Sequence, residues 1–454
     1  MNIHPILKEI ASLFDARGRQ VYLVGGMVRD LFLGKKAQDW DLATDAAPEE
    51  VGIIFRESKT RGRVIPTGIK HGTVTVHYKS HSFEVTTFRT ETGYSDGRRP
   101  DRVSYAASIE EDLARRDFTM NAIALRLPGG EITDPFGGAA DIKRRLIRCV
   151  GNPFERFSED GLRPLRAVRF AAQLGFDLDE ITLEAIPLSL WVSALVSAER
   201  IRDELDKILA AEIPSRAFRP MEDTGLLKLI LPELAVCRGL EQKGFHRFDV
   251  LDHSLLACDY AARERFSREV KLAALLHDLG KVPAVKFDAG GIPTFYRHEA
   301  ESARLARGIL TRLRYPNAFV DSVCHLISEH MFHYEENWSD AAVRRFIVRA
   351  GPECLEDLYR LRRADSYASA AREPPEDFLL PLAERVDRIF AERNALSLKS
   401  LAVSGRDLIA AGVKPGKTLG IILRELLETV LEDPELNTRE KLLEIAGNIN
   451  KRYL

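Results

Sequence analysis

The stretch that decides the fold is "YLVGGMVRDLFLGKKAQDWDLATD", residues 22–45. An apolar run ends in Gly25-Gly26, a short segment carrying Arg29 and Asp30 follows, and Asp39 and Asp41 then flank Trp40. Alternate residues of a strand share a face, so a strand over "DWDLAT" projects Asp39 and Asp41 together. Two adjacent carboxylates repel each other unless a cation sits between them. Carboxylate oxygens completed by substrate phosphates suit Mg²⁺. A glycine pair at a strand end lets backbone N–H groups approach triphosphate oxygens with no Cβ in the way. Arg29, one helical turn on, is placed to clamp those phosphates, with Asp30 to orient it.

Working outward, residues 5–16 read as an amphipathic helix with Ile6, Ile10, Leu13 and Phe14 at helical spacing. "QVYLVGG" reads as a strand and "VRDLFLG" as a helix closed by Gly34. "DWDLAT", "HGTVTVHYK" and "HSFEVTTFR" read as further strands. From about residue 140 strand signals fade, and amphipathic helices such as "DGLRPLRAVRFAAQLG" and "SAERIRDELDKILAA" follow, broken at "EDTG", "FDAGGIPT", "AREPPED" and "GVKPGK". The expected architecture is an α/β head with a small mixed sheet, followed by a long all-α neck, body and tail. The expected boundaries are 1–140, 141–225, 226–375 and 376–454.

The composition narrows the class. A chain of 454 residues is long enough for about three or four domains. Its net charge of −2 argues against a uniformly basic coat, although a local basic stripe suffices to bind nucleic acid. Residues 141–175 carry eight Lys/Arg against four Asp/Glu, and such a stripe would sit there. The five cysteines form no CxxC pair, which speaks against a disulfide framework or zinc finger. The N-terminus lacks an apolar h-region, and no run approaches 18 apolar residues. These features predict a cytoplasmic protein with no membrane partner.

G-G-x-V-R-D-x-x-L-G followed by D-x-D resembles the first motif of the class II nucleotidyltransferases, polymerase-β relatives that comprise CCA-adding enzymes and bacterial poly(A) polymerases. Four further stretches match that family in order. "RRDFTMNAIA" (115–124) resembles the second motif, with Arg116, Asp117 and Asn121 to hold sugar and phosphate oxygens. "DPFGGAADI" (134–142) resembles a third, which the resemblance makes a hinge. "SEDGLRPLRAVRFAAQLGF" (158–176) resembles the fourth, with Asp160, Arg163, Arg166 and Arg169. Placed on one helix, Asp160 and Arg163 would share a face and complement the Watson–Crick edges of cytosine and adenine. "SAERIRDEL" (197–205) resembles the fifth, whose charged residues brace the base-reading helix.

The resemblance implies a polymerase-β-like palm in which Asp39, Asp41 and Glu84 are catalytic carboxylates, and Asp39 and Asp41 hold Mg²⁺. It implies template-independent addition of CCA to tRNA 3′ ends from CTP and ATP, with release of pyrophosphate. tRNA, ATP and CTP are then the partners, and DNA is not. The full-length loop "TETGYSDGRRPDRVSYAASIEED" favours enzymes that add the terminal A, because CC-only members shorten it. "SGRDLIAAGVKPGKTLGIILRELLETVLEDPELNT" (404–438) resembles the family's tRNA-elbow tail. Partial addition of A or CC alone, poly(A) synthesis, and an HD hydrolase with a nucleotide-sensing head are the competing readings.

A second metal site is expected further along. His277-Asp278 with Gly280-Lys281 resembles the HD phosphohydrolases, whose ligand scheme maps to His253, His277, Asp278 and Asp365, with His298 and His330 as additional ligands. Mixed imidazole and carboxylate donors suit Mn²⁺, Ni²⁺, Co²⁺, Fe²⁺ or Mg²⁺. The resemblance implies a second, phosphohydrolase activity there, with Lys281 against a phosphate.

Overall fold

A computed structural model describes residues 3–35, 40–58, 60, 62–69, 72–92, 102–242, 247–392 and 395–453. The chain divides into two units, residues 1–236 with 312–315, and 237–311 with 316–454. The first unit begins with α1 (Pro5–Asp15), which starts at a proline and buries Ile6, Leu7, Ile10, Ala11 and Phe14 along one stripe. Each such side chain contributes about 1.5–3 kcal/mol on burial. Next come β1 (Val21–Val24), α2 (Gly26–Phe32), β2 (Trp40–Thr44), α3 (Pro48–Arg56), β3 (Arg63–Gly68), β4 (Thr73–Tyr78) and β5 (His81–Thr87). A hairpin of β6 (Arg89–Thr92) and β7 (Arg102–Tyr105) precedes α4 (Ile109–Ala114), β8 (Ala124–Arg126) and β9 (Ile132–Thr133).

Among the described residues the sheet is seven-stranded and mixed, in the order β3-β4-β5-β2-β1-β8-β9. Only β2 and β5 run parallel; the α3–β3–β4 crossover between them makes that possible. One face of the sheet packs on a core that includes Tyr22, Val24, Ala43, Phe88 and Leu113. The small mixed sheet expected of the head is therefore present. Asp39 and residues 93–101 of the long loop lie outside the described residues.

Helices follow: α5 (Gly138–Arg144), α6 (Pro153–Glu159), α7 (Arg163–Leu174), α8 (Glu180–Leu188), α9 (Leu190–Ser193) and α10 (Ala198–Leu209). One expectation fails here. Asp160 and Arg163 do not share a helix, because Asp160 is extended at the end of α6 and Arg163 opens α7. Pro164, in the first turn of α7, has no N–H to give and would clash with the Asp160 carbonyl in a continuous helix, and tertiary packing fixes the break. A Cβ on Gly161 would lie 2.3 Å from the Val192 carbonyl oxygen, and Ser193 Oγ donates to the Gly161 carbonyl at 2.8 Å. The chain is pinned open where helical periodicity alone would continue.

In the glycine pair expected to form a hinge, Gly137 takes φ +73° and Gly138 is tightly packed. A Cβ on Gly138 would sit 2.0 Å from the Thr119 carbonyl oxygen, and Asp134 accepts from the Gly138 and Ala139 N–H groups at 2.7 and 2.9 Å. Close approach, rather than conformational freedom, is what requires glycine at 138.

Among the described residues the second unit is helical, apart from a short hairpin pairing Lys286–Phe287 with Pro293–Thr294. Its C-terminal helices close around Leu408, Ile422, Leu426 and Leu442.

Candidate active site and a buried histidine–aspartate cluster

Asp41 and Glu84 are register partners on the parallel strands β2 and β5. Both open onto a cavity of about 680 Å³ in the first unit, which Gly25, Gly26, Arg29, Arg116, Asp117, Asn121, Asp160, Arg163, Arg166 and Arg169 also line. The expected head and neck residues that are described thus converge. Seven Arg/Lys and four Asp/Glu line it, so the cavity is built for a polyanion with a negative patch at one wall.

Gly25 has φ +69°, and a Cβ there would lie 2.9 Å from Arg116 Nη1 and 3.6 Å from Asp41 Oδ2. The turn demands positive φ, and the neighbours leave no room for a side chain. Arg29 donates from Nε and Nη2 to Asp30 Oδ1 at 2.9 and 2.8 Å, and from Nη1 to Asn121 Oδ1 at 3.0 Å. Asn121 Nδ2 donates in turn to Asp117 Oδ1 at 3.1 Å. Asp117 Oδ2 accepts from Arg166 Nε and Nη2 at 2.9 and 2.6 Å. A continuous chain of hydrogen bonds therefore runs from α2 to α7.

The charges settle accordingly. Burial alone would raise Asp117, but Arg166 and Asn121 outweigh it and hold the carboxyl far below the usual range. Burial brings Arg169 down to about 10, with Arg166 and Arg29 adding repulsion against the attraction of Glu204. Positive charge is crowded here, as a site awaiting phosphates requires.

The base-reading pair is arranged differently from a helical ion pair. Asp160 Oδ2 accepts from Arg200 Nη2 at 2.8 Å, and its Oδ1 accepts from the Leu162 N–H at 3.1 Å. Arg163 instead donates to the Arg156 carbonyl at 2.7 Å, the Arg115 carbonyl at 3.1 Å, and Glu159. Arg200 and Glu204, both on α10, hold Asp160 and Arg169 respectively, so the fifth stretch does brace the fourth.

Sequence reasoning passed over Arg115, Phe170, Gln173 and Lys207, which also line the cavity. Arg115 stood beside Arg116 and was within reach of the motif reading. Phe170 reads as an ordinary core position, and only packing reveals it.

In the second unit, the six expected ligands meet. His253 Nε2 lies 3.1 Å from His277 Nε2, 3.1 Å from Asp365 Oδ1 and 3.3 Å from Asp278 Oδ2. His298 Nε2 is 3.2 Å, and His330 Nε2 4.0 Å, from Asp278 Oδ1. Asp278 thus turns one oxygen to His253 and His277, and the other to His298 and His330.

Nδ1 of His277, His298 and His330 lies 2.9, 2.9 and 2.6 Å from the carbonyls of Ala274, Phe295 and Ile327. A carbonyl only accepts, so each Nδ1 carries a hydrogen and each Nε2 faces inward. That is how imidazoles are oriented for a metal. Burial lowers His330 to about 3, helped by His277, so it is neutral. Burial disfavours charge on His277 too, yet Asp278 and Asp365 outweigh it and raise it to about 10: the cluster calls for positive charge. Lys281 Nζ sits 2.7 Å from Asp278 Oδ2, and Arg362 Nη1 2.6 Å from Asp365 Oδ2.

Comparison with known proteins agrees with the first unit's geometry. Residues 21–148 match the poly A polymerase head domain, 175–237 a polymerase A region described as an RNA- and SrmB-binding site, and 298–446 tRNA nucleotidyltransferase domain 2. A CCA-adding enzyme of Lactobacillus johnsonii is 36% identical over 98% of this chain and 96% of its own. The chain belongs to the CCA-adding enzyme family. Another family member, from Enterococcus faecalis, is 34% identical over 97% of this chain and 94% of its own.

The Bacillus stearothermophilus CCA-adding enzyme, solved in complex with CTP, superposes with a TM-score of 0.74 at 31% identity, covering 99% of both chains. The Thermotoga maritima CCA-adding enzyme, solved with tRNA, shares the fold at a TM-score of 0.58 and 20% identity, covering 98% of this chain and 96% of its own. CCA-adding enzymes are nucleotidyltransferases that use divalent metals, and Asp41 paired with Glu84 offers oxygen donors of the right kind. No helix among the described residues is long and apolar enough to cross a membrane.

Proposed function

We propose that this chain adds CCA to the 3′ end of tRNA from CTP and ATP, without a nucleic-acid template. The observation that carries the reading is the single cavity in which adjacent carboxylates, a phosphate-scale arginine cluster and the Asp160/Arg163 pair face one another. Asp41 and Glu84, with Asp39 from the same sequence motif, hold Mg²⁺. The bound ion supplies charge neutralisation for the attacking hydroxyl and the departing pyrophosphate. Gly25 and Gly26 admit the triphosphate, and Arg29, steered by Asp30 and Asn121, clamps it.

Asp160 accepts from the exocyclic amine that cytosine and adenine share, and Arg163 donates to the ring acceptor beside it; UTP and GTP present the opposite pattern. To do so each must give up part of its present hydrogen bonding, Asp160 to Arg200 and Arg163 to Glu159. Residues 376–454 are the tRNA-holding tail in this reading, and the four segments bounded at 140, 225 and 375 its working parts.

The test uses tRNA transcripts ending before CCA, after C and after CC, given Mg²⁺ with CTP, ATP or both, beside an unstructured RNA. All three tRNAs should finish with one CCA and the control should stay unextended. Extension of the CC-ended tRNA alone would make this an A-adding partner, and long A-tails on the control would make it a poly(A) polymerase.

We propose a second activity at the histidine–aspartate cluster, metal-dependent phosphoester hydrolysis. The supporting observation is the inward orientation of the Nε2 atoms of His277, His298 and His330 around Asp278. His253, His277, Asp278 and Asp365 would hold one divalent ion, and His298 with His330 would extend the site. An ion there supplies an activated water. Lys281 and Arg362 line the adjoining cavity of about 730 Å³, placed for a phosphate. Release of phosphate from 2′-nucleotides, or opening of 2′,3′-cyclic phosphate ends, tests it.

A further inference from the structure

Phe170, on α7, is 5% exposed and lines the nucleotide cavity. Three guanidinium groups surround its ring: Cζ of Arg169 lies 3.6 Å from the centroid, that of Arg29 5.3 Å and that of Arg166 5.5 Å. Phe118 meets the ring edge-on, at 5.7 Å and 83°. Arg29 comes from α2, Phe118 from the stretch after α4, and Arg166 and Arg169 from α7. The ring is therefore the point where the phosphate clamp and the fourth stretch's arginines come together.

Three cations gathered in a buried place repel one another. Carboxylates could hold them, and Asp30, Asp117 and Glu204 each take one. Every added carboxylate, however, also repels the nucleotide's phosphates. An aromatic face attracts cations within about 6 Å of its centroid through its quadrupole and adds no net charge. It can collect the arginines and leave their positive field intact.

We propose that Phe170 is a positioning residue for the incoming nucleotide, setting Arg29, Arg166 and Arg169 in register around one ring so that triphosphate and base are gripped together. This rests on the reading of the cavity as a CCA-adding site. It acts through the arginines and not through the carboxylates. Its loss should therefore weaken nucleotide binding and base discrimination more than the chemical step.

The experiment measures CTP and ATP addition to tRNA by the full chain carrying Phe170→Leu, Phe170→Tyr, or phenylalanine at 170 bearing one to five ring fluorines. Fluorination drains the ring's quadrupole while nearly keeping its shape. KM for both nucleotides should rise stepwise with fluorine count, reaching roughly tenfold for the pentafluoro ring and for Phe170→Leu. kcat should change far less, UTP and GTP misincorporation should increase, and Phe170→Tyr should stay near the parent. A KM that is flat across the fluorine series overturns the proposal. So does a Tyr variant as impaired as Leu, which would show that shape and not the ring's field matters. If Phe170→Leu does not fold, the fluorine series decides alone. If the unmodified chain extends no tRNA, the CCA-adding reading falls first and this inference with it.

Discussion

Arg200 Nη2 lies 2.8 Å from Asp160 Oδ2, joining α10 to the residue proposed to meet the base. The two side chains are about one-fifth exposed, so the pair is partly screened and contributes about 1 kcal/mol to stability at most. Its larger effect is on direction. Arg200→Ala frees Asp160 to rotate, and misincorporation of UTP and GTP should rise about tenfold, within the range a misread base edge costs. Single-nucleotide incorporation into tRNA lacking CCA measures it, and the melting temperature should hardly move.

Asp41 and Glu84 are register partners, and both are proposed to face the metal. Asp41→Ala should cut kcat on the order of a thousandfold or more, the loss of several kcal/mol of charge stabilisation. Glu84→Ala should cut it less, because Asp39 and Asp41 remain. EDTA should stop extension by the parent chain, and added Mg²⁺ should restore it.

Gly25→Ala places a methyl 2.9 Å from Arg116 Nη1 on a backbone at φ +69°. The backbone strain costs about 1 kcal/mol. Arg116 must also move, so KM for both nucleotides should rise, by an amount that exceeds any fall in thermal stability. Steady-state kinetics beside a thermal melt separate the two effects.

Asp117 is held ionised far below its ordinary value, against its own burial, by Arg166 and Asn121. Its folded value is depressed relative to about 3.9 in the unfolded chain. The stability it contributes is therefore present above pH 4 and lost as pH falls towards the folded value. Asp117→Asn leaves Arg166 short of its main counter-charge and should cost about 3 kcal/mol at pH 7. The gap between variant and parent should narrow below pH 4. Urea unfolding at pH 7 and pH 3 tests the sign.

His277→Ala removes a proposed metal ligand from the buried cluster of the second unit. The purified parent chain should carry close to a stoichiometric divalent transition metal after exposure to Ni²⁺ or Mn²⁺, by elemental analysis, and the variant much less. Phosphoester hydrolysis should be lost with the metal. CCA addition should persist, because the carboxylates proposed for it lie in the other unit.

Much of this protein was readable in one dimension, for local reasons. Thr73–Tyr78 alternates and is a strand, and Ile6, Ile10 and Phe14 recur at helical spacing and face a core. Motif order named Arg29, Asn121, Asp117 and Arg166, and the fold strings them into one hydrogen-bonded chain. The histidines and aspartates expected to cluster in the second unit do meet, and the His277-Asp278 pattern is what marked them in the sequence.

Other features depend on atoms far apart in the chain, and periodicity carries no record of those. Pro164 marks the break between Asp160 and Arg163 locally, but the close approach of Val192 and Ser193 that requires glycine at 161 is tertiary. Gly138 is required by the Thr119 carbonyl, and Phe170 gathers arginines that sequence spacing alone would leave unrelated. His277 and Asp365 meet only because helices 88 positions apart pack together. Sequence determined which chemical groups this protein possesses and which local faces they share, since those follow from backbone geometry. Tertiary packing alone decided which groups meet and in what directions, because close contacts between distant segments override local preference.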